Sequence, residues 1–189
     1  MTDGASGEPL DHGQAGLLVT GAPGAGKTTV VRLLASALTR SAVLSGDMVG
    51  RLVVSGYVWP LGQPDEEAAQ QAALCIDNLC ALAVTFTAAG FTPVIDWVVP
   101  DIDGMDVFRR ALGPRLRLVV LDPGIESCIE RNRSRAPREQ FHFDGYADLR
   151  ASMHAGFGQQ GWWFDTSKLT AEATVQRILR EANQNACLG

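Results

Sequence analysis

Residues Gly21-Ala22-Pro23-Gly24-Ala25-Gly26-Lys27-Thr28 match the pattern G-x-x-x-x-G-K-[ST] at every fixed position, and they constrain the chain on both sides. Leu17, Leu18 and Val19 before them read as a short apolar strand. Val30, Val31, Leu33, Leu34, Ala37 and Leu38 after them recur at helical spacing. This strand-loop-helix context separates a phosphate-binding loop from a glycine-rich turn in front of a core helix. Gly21, Gly24 and Gly26 let the backbone curl so that successive N–H groups converge on a phosphate, at the positive end of the following helix. Lys27 supplies the neutralising charge. Thr28 can offer its hydroxyl to Mg²⁺, which takes hard oxygen ligands and keeps several waters.

The 189 residues, 46% of them hydrophobic, suffice for one buried core. A net charge of −5 gives the surface no general attraction for nucleic-acid backbones, so no nucleic-acid partner is expected. Cys75, Cys80, Cys128 and Cys187 form no C-x-x-C pair and do not cluster with histidines. They read as free thiols of a cytoplasmic protein. The residues before Gly16 lack an apolar core and a basic flank, so neither a signal peptide nor a membrane helix is expected there. The expected organisation is a flexible tail over Met1 to Gln14 and one domain over residues 15–189.

Ser41 to Leu44 reads as a second strand, ending at Ser45-Gly46-Asp47, where Gly46 permits a sharp turn and Asp47 emerges beyond the strand's carboxyl end. A short helix over Met48 to Val54 precedes an aromatic loop holding Tyr57 and Trp59. Asp65 to Ala89 contains neither Gly nor Pro and opens on Asp65, Glu66 and Glu67, as one long helix should. Pro93 to Val99 is an apolar strand interrupted only by Asp96. A helix over Met105 to Leu112 leads to a fourth strand, Arg115 to Leu121, then to a helix over Ile125 to Arg133. Arg131, Arg133, Arg135 and Arg138 follow as the one basic cluster, around Pro137. A polar aromatic loop, a helix over Ala147 to Phe157, a fifth strand at Trp162 to Phe164 and a helix over Leu169 to Ala182 capped by Thr170 complete the chain. Alternating strands and helices predict an α/β fold with a parallel sheet covered on both faces.

Taken together, Gly21 to Thr28, the Ser-Gly-Asp ending at Asp47, the arginine-rich break and Asp165-Thr166-Ser167 resemble the nucleoside-monophosphate-kinase branch of P-loop proteins. Within it they resemble the small bacterial P-loop phosphotransferases that include chloramphenicol phosphotransferase, tunicamycin-resistance proteins and gluconokinase-like enzymes. The resemblance implies a three-layer αβα sandwich, five strands in the order 2-3-1-4-5, and a LID segment near residues 131–145. It implies ATP and Mg²⁺ as cofactors and a small-molecule hydroxyl, of an antibiotic or of a metabolite, as phosphate acceptor. Gly21, Ala22, Gly24, Ala25, Gly26, Lys27, Thr28 and Thr29 would then hold the nucleotide, with Arg131 and Thr166. Lys27, Asp47, Arg131 and Arg135 would act in transfer.

Asp47 is expected to orient the acceptor hydroxyl and collect its proton late; its alternative role is to cap the helix that follows. Asp96 is expected either to hold Mg²⁺ with Thr28 or to contact the acceptor. The arginines are either a LID or a solvated basic helix end. Tyr57, Trp59 and Trp97 are candidates for an apolar wall around the acceptor, and Asp77 or Asn78 can face that pocket from the long helix. Trp162 and Trp163 read as strand residues of the core. His142 and His154 read as surface or loop residues. A switching ATPase would place Glu after Asp96, where Trp97 stands. A GTPase would need Asn-Lys-x-Asp beside the chance D-x-x-G match at Asp101 to Gly104. No membrane partner is expected, and a homodimer is left open.

Overall fold

In a computed structural model that describes residues 10–60 and 64–188, five parallel strands form one sheet in the order β2-β3-β1-β4-β5. The strands are β1 (Gly16–Thr20), β2 (Ser41–Ser45), β3 (Thr92–Asp96), β4 (Leu116–Leu121) and β5 (Trp162–Phe164). The helices are α1 (Lys27–Ala37), α2 (Gly46–Gly50), α3 (Asp65–Ala88), α4 (Ile102–Leu112), α5 (Ile125–Arg133), α6 (Tyr146–Phe157) and α7 (Ala171–Asn185). Alternate strand residues face opposite sides of a sheet, so a strand covered on both faces must be apolar throughout. β1 shows this directly. Leu17 and Val19 join the core with residues of α1 and α7, whereas Leu18 joins that with residues of α3, α4 and α6.

α3 is, among the described residues, the one helix long and apolar enough to cross a membrane. Its Cys75, Ile76, Leu79, Cys80 and Ala83 are buried, and it packs on α4 and the sheet as a core helix of this domain.

Several boundaries differ from expectation, and three have a clear local setting. β3 stops at Asp96; the apolar run continues as buried backbone in which Val99 N donates to Thr20 Oγ1 at 3.0 Å. α4 begins earlier, because Asp101 is its N-cap and accepts from Gly104 N at 3.0 Å, which gives the D-x-x-G match a purely local role. α2 ends at Gly50, well short of Val54.

The expected tail lies outside the described residues as far as Pro9, but its last part is pinned to the domain. Leu10 is buried with the α1 and α7 residues. Asp11 accepts from Thr39 N at 2.6 Å and Arg40 N at 3.0 Å, while Thr92 Oγ1 donates to Leu10 O at 2.8 Å and accepts from Gly13 N.

Candidate active site

β1, β2 and β3 end side by side, with Asp96 in register with Val19 and with Ser45. The loop from Gly21 to Gly26 leaves β1 at this edge, and its three glycines have φ of 139°, 84° and 98°, a region that side chains disfavour. Gly24 has a second constraint: a Cβ there would run into the Cys128 carbonyl of α5, whose carbon would be 3.0 Å away. Ala25 is buried, Ala22 is half-buried, and Thr28 and Thr29 are exposed in the first turn of α1.

Lys27 is buried, and its Nζ donates to Gly21 O at 2.9 Å and Ala22 O at 3.0 Å, closing the loop on itself. Burial pulls its pKa below the usual lysine value, against the opposing charges of Asp96 and Asp47. Thr28 Oγ1 donates to Asp96 Oδ2 at 2.6 Å. Burial raises the Asp96 carboxyl above its ordinary range, with Lys27 and the Thr28 bond pulling the other way. A hydroxyl and a carboxylate adjoining a phosphate loop fit Mg²⁺, which takes few protein oxygens and draws the remainder from phosphate and water. Asp96 therefore faces the loop. It is not part of the wall of the cavity described below.

The cap alternative for Asp47 does not hold. Ser45 occupies the N-cap position of α2, and the Asp47 carboxylate is exposed with no hydrogen bond among the described residues. Its charge is felt by Lys27 and Asp96 on one side and by Tyr57 and Cys75 on the other. Gly46 precedes it for a reason other than turn geometry: a Cβ there would lie within 2.6 Å of three Trp97 ring atoms, so only glycine lets the indole pack against the turn.

A cavity of about 150 Å³ lies between α2, the segment after it, and α3. Tyr57 and Trp97 line it. Trp59 does not; it is 40% exposed beyond the wall. Asn78 lines it and Asp77 does not. Gln71 was not singled out in the sequence and Cys75 only as a free thiol, although Gln71, Leu74, Cys75 and Asn78 follow the i, i+3, i+4, i+7 spacing of one helix face. Gln71 fastens the wall: its Oε1 accepts from Val58 N at 2.9 Å and its Nε2 donates to Gly56 O at 2.7 Å.

Arg131 separates itself from the other arginines. Its Nη1 donates to Ala25 O at 2.9 Å and its Nη2 to Thr166 O at 3.0 Å, tying the phosphate loop to the segment after β5. Thr166 is buried, and its Oγ1 has no partner among the described residues. Arg135 is exposed, with its guanidinium 5.2 Å from the Phe141 ring centre, and its charge is felt at Lys27. Arg133 and Arg138 are exposed. His154 is not simply a surface residue: it stacks on Trp163 with ring centres 3.9 Å apart, beside an Asp122 held at both oxygens by Arg150.

A parallel sheet in this order, with a GxxxxGKT loop between β1 and α1, defines a P-loop kinase-like fold. The chain belongs to the family described as the AAA domain, whose model matches residues 17–160. Among solved structures it is similar to a sugar kinase from Janibacter sp. HTCC2649, at 18% identity over 88% of this chain and 92% of that one, with a TM-score of 0.66. It is also similar to a shikimate kinase from Bacteroides thetaiotaomicron, at 18% identity over 88% and 97%, with a TM-score of 0.61. The tunicamycin resistance protein of Deinococcus radiodurans aligns at 20% identity over 88% and 95%, with a TM-score of 0.58. No curated protein matches the chain by sequence.

Proposed function

We propose that this protein is an ATP-dependent kinase that transfers the γ-phosphate to a hydroxyl of a small molecule. One observation carries the reading. Asp47 is a carboxylate without a hydrogen bond among the described residues, and its charge reaches both the phosphate loop and an apolar cavity, so a hydroxyl seated at the cavity would stand between base and nucleotide.

The loop N–H groups and Lys27 bind the phosphates, and Arg131 fixes the loop through Ala25 O. Thr28 and Asp96 would hold Mg²⁺, which when bound supplies charge neutralisation between the phosphates. Lys27 gives up its two carbonyl bonds to reach phosphate oxygens. Asp47 orients the acceptor and takes its proton as the acceptor oxygen bonds to the γ-phosphorus. The bond from that phosphorus to the bridging oxygen breaks, and ADP leaves. Arg135, whose charge is felt at Lys27, would approach the transferred group from the 134–145 segment.

The neighbours support an antibiotic acceptor and a metabolite acceptor equally. An ATP-hydrolysing switch is the weaker reading, because the residue after Asp96 is a buried tryptophan and supplies no base for water.

The test is Asp47→Asn. ATP affinity and melting temperature should stay at wild-type values, since no hydrogen bond is lost, while acceptor-dependent ADP release falls about a hundredfold or more. ADP release that is the same with and without every alcohol in a broad panel would sink the kinase assignment.

A further inference from the structure

The cavity beside Asp47 has a definite electrostatic character. Val49, Leu52, Val53, Leu74 and Trp97 make it apolar, and none of the described residues lining it is Lys, Arg or His. Its polar groups are few. Both ends of the Gln71 amide are engaged by the 56–58 backbone, and Cys75 Sγ donates to Gly46 O at 3.4 Å. The Asn78 amide and the Tyr57 hydroxyl have no hydrogen-bond partner among the described residues. Asp47 stands in the turn whose Gly46, Val49 and Gly50 form one wall.

The field inside follows from these neighbours. Burial raises the Tyr57 phenol above its usual value, and Asp47 adds to this more strongly than the exposed Arg51 opposes it. An anion entering here would find no cation among the described residues of the wall and would meet the charge of Asp47. Size gives a scale: the cavity, open toward solvent beside the exposed Leu52 and Leu74, holds about 150 Å³, and an apolar cavity of about that volume accommodates one benzene.

Resting on the kinase reading above, we infer that the acceptor is an uncharged alcohol whose apolar ring, about the size of benzene, fills this cavity and sets its hydroxyl at Asp47. Acceptors that carry a carboxylate or phosphate are disfavoured by the neighbouring charge of Asp47 and by the lack of a cation among the described residues of the wall. Asn78 and Tyr57 are left to bond an ether, carbonyl or second hydroxyl on the ring's substituent.

A matched pair tests this. 3-Phenylpropane-1,2-diol and 3-phenyllactate share the ring and the secondary hydroxyl, and differ in a hydroxymethyl group against a carboxylate. ADP release should show a kcat/KM about tenfold or more higher for the diol. Asn78→Arg, at an exposed position of α3, should narrow that ratio by improving phenyllactate. Phenyllactate used as well as the diol by the wild type overturns the inference. Calorimetry without nucleotide keeps the two readings apart. Binding of the diol and not of phenyllactate supports the uncharged-ring assignment even where neither is phosphorylated, an outcome that counts against the kinase. Equal affinity for both, or no binding of the diol, overturns the assignment whatever the turnover.

Discussion

Gly46→Ala adds one methyl group where the Trp97 indole already lies. Gly46 is not among the glycines with positive φ, so the added Cβ brings no backbone strain and the cost is steric. That Cβ would lie within 2.6 Å of Cε3, Cζ3 and Cδ2, with Cε3 the nearest, against an optimum of about 3.5–4.0 Å for carbon pairs, so the ring must retreat by about 2 Å. With 7% of Trp97 exposed, there is little solvent to retreat into. Overpacking of this kind costs about 1–3 kcal/mol, and a clash with three atoms of a rigid ring belongs at the upper end. For a chain of this length, about 3 kcal/mol lowers the melting temperature by about 6–12 °C. Trp97→Leu removes the ring. On that background Gly46→Ala should be nearly neutral, giving a coupling energy of about 2–3 kcal/mol in a double-mutant cycle measured by urea unfolding. Equal costs on the two backgrounds would refute the packing argument and return Gly46 to a turn residue.

Three further outcomes follow from the same geometry. Arg131→Ala removes two charge-assisted hydrogen bonds, worth about 1.5–3 kcal/mol each, and should weaken ATP binding by about tenfold or more with little change in affinity for the acceptor; calorimetry that finds ATP affinity intact would contradict the tie. Burial raises the folded-state pKa of Asp96, so the stability linked to its proton is complete below about pH 4 and is lost as pH rises through the folded value. Asp96→Asn never ionises, so its melting temperature relative to wild type should climb between pH 4 and pH 8; a difference that ignores pH would refute the assignment. Burial pushes the Cys75 thiol up to about 11 and the Cys80 thiol up to about 12, and Cys128 is also buried, so a thiol reagent at pH 8 should count one reactive group, Cys187, in the native protein and four after denaturation.

Much of the architecture was legible because the signals are local. The glycine spacing, the apolar strands and the acid-led start of α3 each act within a few residues, and resemblance supplied the strand order that periodicity lacks. What escaped depends on distant partners. Gly46 looked like a turn glycine because Trp97, 51 positions later, is the residue that requires it. Arg131 was one of four arginines until folding brought it to Ala25, 106 positions away. Trp59 shares its aromatic character with Tyr57, but only the folded loop shows that one faces the cavity and the other does not. The Asp101 cap was hidden by its coincidence with a nucleotide-binding pattern.

The strap at Leu10 to Gly13 has a consequence at the opposite end of the sheet. Asp47 follows β2, an edge strand hydrogen-bonded to β3 alone, and edge strands are where register slides most cheaply. A slip by one residue would carry Asp47 about 3.3 Å along the sheet and turn it to the other face. Thr92 N donates to Arg40 O at 2.9 Å, while Asp11 holds Thr39 N and Arg40 N just ahead of the strand. These bonds index β2 from its amino end, as a stop indexes a ruler. The address of Asp47 is thereby set a strand's length away from the site proposed for it.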